Sequence, residues 1–102
     1  MTDLEELGGV FGHVREFTDG GRRYVYLERV TLPDGTVMEG LLCPQERDGY
    51  ETRLFLSSRF SKGNNWTDHR ILDRSWVTWS QKGVPADQRL MQILAQHLGN
   101  LR

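Results

Sequence analysis

The chain has 102 residues, 37% hydrophobic and 26% charged, a composition typical of one globular domain spanning residues 1–102 and not of a disordered segment. Thirteen basic and fourteen acidic residues give a net charge of −1 with no basic run, which argues against a nucleic acid partner. Cys43 is the single cysteine and cannot form an internal disulfide, so we expect a reducing, cytoplasmic setting. The N-terminus has no hydrophobic secretion segment, and no apolar run approaches the ~20 residues of a membrane span, so no membrane partner is expected.

The N-terminal segment is short and acidic. Met1–Leu7 is predicted to form a single helical turn, with Thr2 or Asp3 as its cap. The Gly8–Gly9 pair is expected to end this turn, and the weak alternation of Val10–Phe17 (VFGHVREF) predicts a first strand. The chain is therefore expected to enter a sheet directly after the glycines.

Turn signals divide the middle of the chain into further strands. Each signal contains Asp followed by Gly, a pair that suits tight turns because glycine readily adopts a positive φ. The predicted turns are Thr18–Gly21, Pro33–Gly35 and Gln45–Gly49. The predicted strands are Arg22–Leu32, Thr36–Cys43 and Tyr50–Ser57, the last with Tyr50, Thr52, Leu54 and Leu56 on one face. Turns about every ten residues indicate an antiparallel meander.

The C-terminal part of the chain predicts a helix. Ser61–Asn65 is expected to be a loop, and short extended pieces are expected over Arg70–Leu72 and Trp76–Trp79. Gly83–Pro85 is expected to open the helix, because proline suits a first helical turn. The apolar stripe of this helix consists of Leu90, Ile93, Leu94, Leu98 and Leu101. The predicted fold class is therefore α+β, an antiparallel β-meander packed against a C-terminal α-helix.

The stretch Trp66–Ser80 (WTDHRILDRSWVTWS) contains all three tryptophans and is the main candidate for a functional surface. Large aromatic side chains dominate small cores, so at least one tryptophan is expected to be buried. Trp66 follows a polar loop and is expected to be exposed, and an exposed tryptophan marks a binding surface. The predicted partner contacts are Trp66, His69, Arg70, Trp76 and Trp79.

Catalytic and metal sites have weaker support in the sequence. Cys43 could act as a nucleophile with His69 or His97 as base, if the fold brings the thiol within hydrogen-bond reach of an imidazole. A lone cysteine in an apolar stretch (GLLC) is more often a small buried hydrophobe, and a histidine beside a helix stripe more often a structural hydrogen-bond partner. The three histidines lie far apart and show no converging ligand pattern, so no metal and no cofactor are expected.

The motif RSWVTWSQKGVPAD (Arg74–Asp87) and the ending ILAQHLGNLR resemble the small prokaryotic ubiquitin-conjugating-enzyme-like proteins. The likeness covers about the last third of the chain, and the strand series before it is compatible with that fold. This family occurs beside ubiquitin-like modifiers, activating enzymes and deubiquitinase-like peptidases in bacterial conjugation or antiviral operons. The resemblance therefore implies a UBC-like (ubiquitin-conjugating-enzyme-like) fold, with a ubiquitin-like modifier or another operon protein as partner.

The chain departs from this family at the catalytic motif. Conjugating enzymes carry their thioester on a cysteine that follows the meander and a His-Pro-Asn element. This chain has no His-Pro-Asn element and no cysteine after Cys43. The resemblance therefore implies a non-catalytic relative or an accessory partner, and no catalytic residue is carried over from the family.

Three functions remain open from the sequence. A non-catalytic protein-binding component of a bacterial conjugation or antiviral system leads, since the small domain offers a tryptophan-rich stretch and edge strands that can pair with an extended peptide. A cysteine enzyme using Cys43 is the second, and a nucleic-acid-binding module is the third. The third would use Arg59, Arg70 and Arg74 beside the aromatic residues. An exposed edge strand also leaves open a homodimer formed by sheet extension.

Overall fold

The computed structural model describes residues 3–102 and contains a six-stranded antiparallel sheet with a helix near either end of the chain. The helices are α1 (Asp3–Phe11) and α2 (Leu90–Gly99). The strands are β1 (Val14–Asp19), β2 (Arg22–Thr31), β3 (Val37–Cys43), β4 (Arg53–Leu56), β5 (Thr67–Ile71) and β6 (Arg74–Thr78). The predicted α+β class, with an antiparallel meander and a C-terminal helix, is confirmed. Within residues 3–102, neither helix has the length and apolar character needed to cross a membrane.

The strands lie across the sheet in the order β1-β2-β3-β4-β6-β5. The first four follow chain order, as a meander does. The chain then passes the position of β6, forms β5 at the edge and returns as β6 between β4 and β5. The two-residue turn between β5 and β6 consists of Leu72 and Asp73, which both have positive φ (54° and 59°). This backbone matches the twist of paired strands, so β5 and β6 form a tight hairpin.

Both faces of the sheet are buried at its centre. One face packs against α1 and α2, and we call the apolar cluster there the helix-face core. The opposite face carries a smaller cluster, the second core, made of Tyr24, Leu41, Cys43, Phe55, Ile71 and Trp76. In β4, Leu54 and Leu56 enter the helix-face core while Phe55 enters the second core. Since a fully buried side chain of this size stabilises the fold by about 1.5–3 kcal/mol, both faces contribute to stability.

The β5–β6 hairpin curls over the second core towards the opposite edge of the sheet. Its residues Ile71 and Trp76 are each 2% exposed within that core. At the tip of the hairpin, the backbone N–H of Leu72 donates to Oδ2 of Asp19, the last residue of β1, at 2.8 Å. The two ends of the sheet therefore touch at one point, although their strands do not pair.

Helix α1 continues through the glycine pair that the sequence predicts as its end. Leu7 and Phe11 lie one helical turn apart, and both are buried in the helix-face core. Their burial outweighs the roughly 1 kcal/mol that each glycine costs inside a helix. The helix ends before Gly12, whose φ of 75° is the left-handed conformation that commonly follows a helix. The predicted strand Val10–Phe17 is therefore wrong in its first residues, and the predicted Thr2 cap lies outside the described residues.

Strand β4 is shorter than predicted because a tight turn precedes it. Arg47 and Tyr50 exchange two backbone hydrogen bonds of 2.9 and 3.0 Å. Asp48 and Gly49 inside this turn have φ values of 56° and 87°. The chain reverses here, and it joins the sheet only at Arg53.

Helix α2 begins at Leu90 and not at Gly83–Pro85 as predicted. The Thr52 hydroxyl donates to the carbonyl of Val84 at 2.9 Å, and the Val84 side chain is 3% exposed. These contacts hold the segment before the helix against the sheet.

We expect Gly8→Ala to raise the free energy of unfolding by about 0.5–1 kcal/mol, because alanine is the better helix former. A Cβ on Gly8 meets no atom within 4 Å. Thermal denaturation followed by circular dichroism should show a higher Tm. Gly40→Ala is the matched control and should lower Tm, because its Cβ would lie 2.7 Å from Cγ2 of Val30. An unchanged or lower Tm for Gly8→Ala would contradict a helix that runs through the glycines.

Candidate functional site

The tryptophans of the predicted docking stretch are divided between the two cores and do not form one exposed patch. Trp79 is 2% exposed, and its indole N–H donates to Oδ1 of Asn100 at 2.9 Å. Trp66 packs against Trp79 with ring centroids 5.2 Å apart and is half-buried. Trp76 is 2% exposed on the opposite face of the sheet. A partner that docks on this surface reaches little of Trp76 or Trp79, because both side chains contribute to cores.

His69 and Arg70, the other predicted contacts, lie on the edge strand β5. Arg70 is exposed. His69 is half-buried, with its ring 5.3 Å from the Phe55 ring centroid in an edge-on arrangement. Burial lowers the pKa of His69, and the neighbouring Arg53 and Arg47 lower it further. Both effects favour the neutral imidazole.

His97 is a buried hydrogen-bond partner on the inner side of α2. Its Nε2 lies 2.9 Å from the Thr52 hydroxyl, which lies 2.9 Å from the carbonyl of Val84. Since a carbonyl only accepts, Thr52 donates to Val84, and Nε2 of His97 carries the proton that the Thr52 oxygen accepts. Burial lowers the pKa of His97 to about 4, with a smaller contribution from Arg53. This geometry is that of a structural histidine.

Cys43 is fully buried in the second core, on the face of the sheet away from α2. Its thiol lies 3.5 Å from the carbonyl of Gln45, and burial raises its pKa. No hydrogen bond joins this thiol to His69 or His97 anywhere in residues 3–102. A reactive cysteine needs access and a lowered pKa, so the geometry weighs against Cys43 as a nucleophile.

A groove lies between β1 and the β5–β6 hairpin on the sheet face that carries no helix. Its volume is about 350 Å³. The lining residues are His13, Arg15, Phe17, Tyr26, Leu72, Arg74 and Trp76. Side chains alternate between the faces of a strand, so Arg15 and Phe17 of β1 share this face, with Tyr26 of β2 beside them. His13 directly precedes β1, and the curl of the hairpin brings Leu72, Arg74 and Trp76 opposite, so the groove exists because of that curl.

Glu39 on β3 holds two side chains of the groove in place. Both terminal nitrogens of Arg74 donate to its carboxylate, at 2.8 and 2.5 Å, and the Tyr26 hydroxyl donates to it at 2.6 Å. These bonds, with those from Arg74 foremost, lower the pKa of Glu39 to about 2. The Arg74 guanidinium also lies 4.5 Å from the centroid of the Trp76 ring. One side of the groove is therefore a fixed array of cation and aromatic rings.

Arg15 is the cation of the groove without a fixed anionic partner. Its guanidinium lies 5.6 Å from the Phe17 ring centroid, and no carboxylate among residues 3–102 pairs with it. Positive charge beside aromatic surface suits a ligand that carries both acidic and apolar groups. In the described part of the chain, no cluster of His, Cys, Asp and Glu could hold a metal ion.

Sequence reasoning missed the groove because it concentrated on the tryptophan stretch. Arg15, Phe17 and Tyr26 come from the two N-terminal strands, where no motif is present. One usable signal was the unbroken run of large residues from Tyr24 to Leu27 in β2, which is typical of a strand with both faces covered. That signal indicates a second core on the face without helices.

Comparisons with known proteins identify no relative of this chain, so a function can be argued only from the fold and the groove. No family model, no curated protein and no solved structure matches the chain. The class that the structure defines is an α+β domain with a curled antiparallel sheet and an open groove of cations and aromatic rings.

We expect Cys43 to react with a thiol reagent at neutral pH far more slowly in the folded protein than in denaturant. The thiol is fully buried and its pKa is raised, so labelling requires opening of the second core. Absorbance of the released thiolate of a disulfide reagent measures the rate. Rapid labelling of the folded chain that is lost in His69→Ala would contradict this expectation and restore the cysteine-enzyme hypothesis.

The low pKa of His97 predicts a loss of stability as the pH falls from about 6.5 to about 4. The unfolded chain takes up a proton in this window while the folded chain does not, so protonation favours unfolding by up to about 3 kcal/mol. Denaturant unfolding at several pH values measures the slope. His97→Gln keeps an N–H donor near Thr52 but cannot titrate, so it should flatten the slope relative to the original chain. Equal slopes in the two proteins would show that His97 is not responsible.

Proposed function

We propose that this chain is a non-catalytic protein-binding module that holds an extended, acidic and aromatic segment of a partner protein in its groove. The single observation that carries this proposal is the groove itself, which combines Arg15 and Arg74 with the rings of Phe17 and Tyr26, while Trp76 lines it with little exposed surface. Aromatic and arginine side chains are enriched at protein-binding hot spots, because they offer large contact area and charged hydrogen bonds.

The edge strand β1 supports an extended conformation of the bound segment. Among the described strands, β1 pairs only with β2, so its outer backbone groups are free to pair with an added strand. Alternate side chains of an added strand would point to the helix-free face, where the groove lies. At the far end, the contact between Leu72 and Asp19 closes the gap between β1 and the hairpin. The groove is thus limited to a short segment of the partner.

The positive charge of the groove favours binding of an acidic segment. Arg74 is already paired with Glu39, whereas Arg15 has no carboxylate partner among residues 3–102. An acidic side chain of the partner would supply that missing charge, and the rings of the groove would cover its aromatic neighbours. A basic segment would meet repulsion from Arg15, so charge also gives specificity.

The sequence resemblance supports a partner class for this module. We propose that the fold is UBC-like and that the partner is a ubiquitin-like modifier or another protein of a bacterial conjugation or antiviral system. The resemblance of Arg74–Asp87 to the UBC-like proteins supports this, together with the helix, meander and helix order of the chain. The absent His-Pro-Asn element and the burial of Cys43 support a non-catalytic role.

The groove is tested by NMR titration of the isotope-labelled chain with two short peptides, one alternating Glu and Phe and one alternating Lys and Phe. We expect the Glu–Phe peptide to shift the amide resonances of Arg15, Phe17 and Tyr26, and the Lys–Phe peptide to bind far more weakly. Arg15→Glu should lower the affinity for the Glu–Phe peptide by about tenfold or more, since a charged hydrogen bond contributes about 1.5–3 kcal/mol. The same titration with a bacterial ubiquitin-like protein tests the partner class.

Arg102→Glu is the matched control, because it makes the same change of charge at an exposed residue that does not line the groove. It should leave the affinity for the Glu–Phe peptide unchanged. Equal affinity for the two peptides, or equal weakening by both variants, would contradict recognition by the groove. Shifts of the groove resonances by a single-stranded oligonucleotide and not by either peptide would favour the nucleic-acid alternative.

A further inference from the structure

A second group of cations surrounds the tight turn that precedes β4. Arg53 and Arg47 both approach one carboxylate oxygen, Oδ2 of Asp48, at 3.1 and 3.5 Å. Arg53 is 5% exposed and the Arg47 side chain 15% exposed. Two largely buried guanidinium groups therefore share one carboxylate. Buried charge that is incompletely paired is costly, so this region has a shortage of negative charge.

Hydrogen bonding in this cluster is also incomplete. Nε of Arg47 and Nε of Arg53 are buried and have no hydrogen-bond partner within the described chain. The positive field acts on neighbouring groups as well, since Arg53 and Arg47 both lower the pKa of His69. Asp48 itself is about half exposed, which weakens its compensation of the buried charges.

Aromatic rings fix the cations of the cluster without neutralising them. The Arg53 guanidinium lies 4.1 Å from the ring centroid of Tyr50, and that of Arg47 lies 5.3 Å from the ring centroid of Phe55. The ammonium group of Lys82 lies 5.9 Å from the Tyr50 ring. A cation–π contact leaves the N–H donors of a guanidinium able to bond an anion. The cluster is therefore positioned in advance for a charged ligand.

His69 on β5 completes the group. Its Nδ1 lies 3.5 Å from Nη2 of Arg47, and its Nε2 lies 2.8 Å from the Thr67 hydroxyl. Since a guanidinium only donates, Nδ1 accepts, and the neutral ring carries its proton on Nε2. The 3.5 Å contact between Arg47 and His69 is a weak hydrogen bond. An oxyanion that accepts from both Arg47 and a protonated His69 would form stronger, charge-assisted hydrogen bonds. The charged groups around His69 are Arg47, Arg53, Asp48 and Asp68.

We propose that Arg47, Arg53 and His69 form a binding site for an oxyanion, a phosphate or carboxylate group. The oxyanion contacts the accessible parts of Arg47 and His69, and its charge compensates Arg53, for which Asp48 alone is insufficient. None of these residues lines the groove between β1 and the hairpin. The site is therefore independent of the proposed peptide groove, and either can fail without the other.

The test is an NMR titration of the full chain with inorganic phosphate and, separately, with acetate, at constant ionic strength set by chloride. We expect saturable shifts of the His69 ring resonances and of the Arg47 Nε–H. The His69 pKa measured at saturation should rise, because a bound anion favours the imidazolium and binding linkage is reciprocal. Saturation by phosphate alone assigns a phosphate site, and saturation by both probes assigns a site that also takes the carboxylate of a peptide.

Arg47→Gln tests the principal ligand, because glutamine keeps part of the side chain that covers Phe55 and removes the charge. It should weaken phosphate binding by about tenfold or more. Arg29→Gln, which changes an exposed arginine outside the cluster, should leave the affinity unchanged. Absence of saturation in the original chain, or equal weakening by both variants, would overturn the proposal. If Arg47→Gln does not fold, the phosphate dependence of the His69 pKa in the original chain still decides the question.

Discussion

Burial of strand β4 on both of its faces is the constraint on which the rest of the structure depends. All four residues of Arg53–Leu56 are buried, whereas antiparallel strands commonly leave one face in contact with water. The helices cover one side of this strand. The other side, where Phe55 lies, needs a cover that the helices cannot provide. The sheet supplies it by curling, so that Ile71 and Trp76 of the β5–β6 hairpin pack over the second core.

The same curl positions both candidate sites. The hairpin approaches β1 and touches it through Leu72 and Asp19 but does not pair with it, and the space that remains is the groove. The cation cluster arises from β4 and the turn before it, because Arg53 occupies a buried position in the strand and shares Asp48 with Arg47. The groove therefore lies where the cover of the second face is incomplete. A site of this kind follows from the shape of the sheet and needs no sequence motif.

The candidate site could be predicted only in part. Trp76 and Trp79 lie in opposite cores, and the sequence does not show that both faces of the sheet are covered. The sequence places Arg70 on a predicted extended segment, Arg70–Leu72, whereas the observed strand begins earlier and also includes His69. The role of both residues as partner contacts stays a prediction. The sequence could not predict that Arg74 lies near Arg15, Phe17 and Tyr26, because β1 and β6 approach each other only through the curl of the intervening strands.

The sequence by itself determined the local elements of this protein. Asp–Gly pairs set the turns of the meander and so bounded strands β2 and β3, and the spacing of Leu90, Ile93 and Leu94 set the C-terminal helix, since each pattern acts over a few neighbouring residues. The tertiary structure alone decided that α1 crosses Gly8–Gly9, that α2 starts late and that the hairpin folds over the second face. These features depend on burial shared between segments far apart in the chain, and that free energy outweighs local preference.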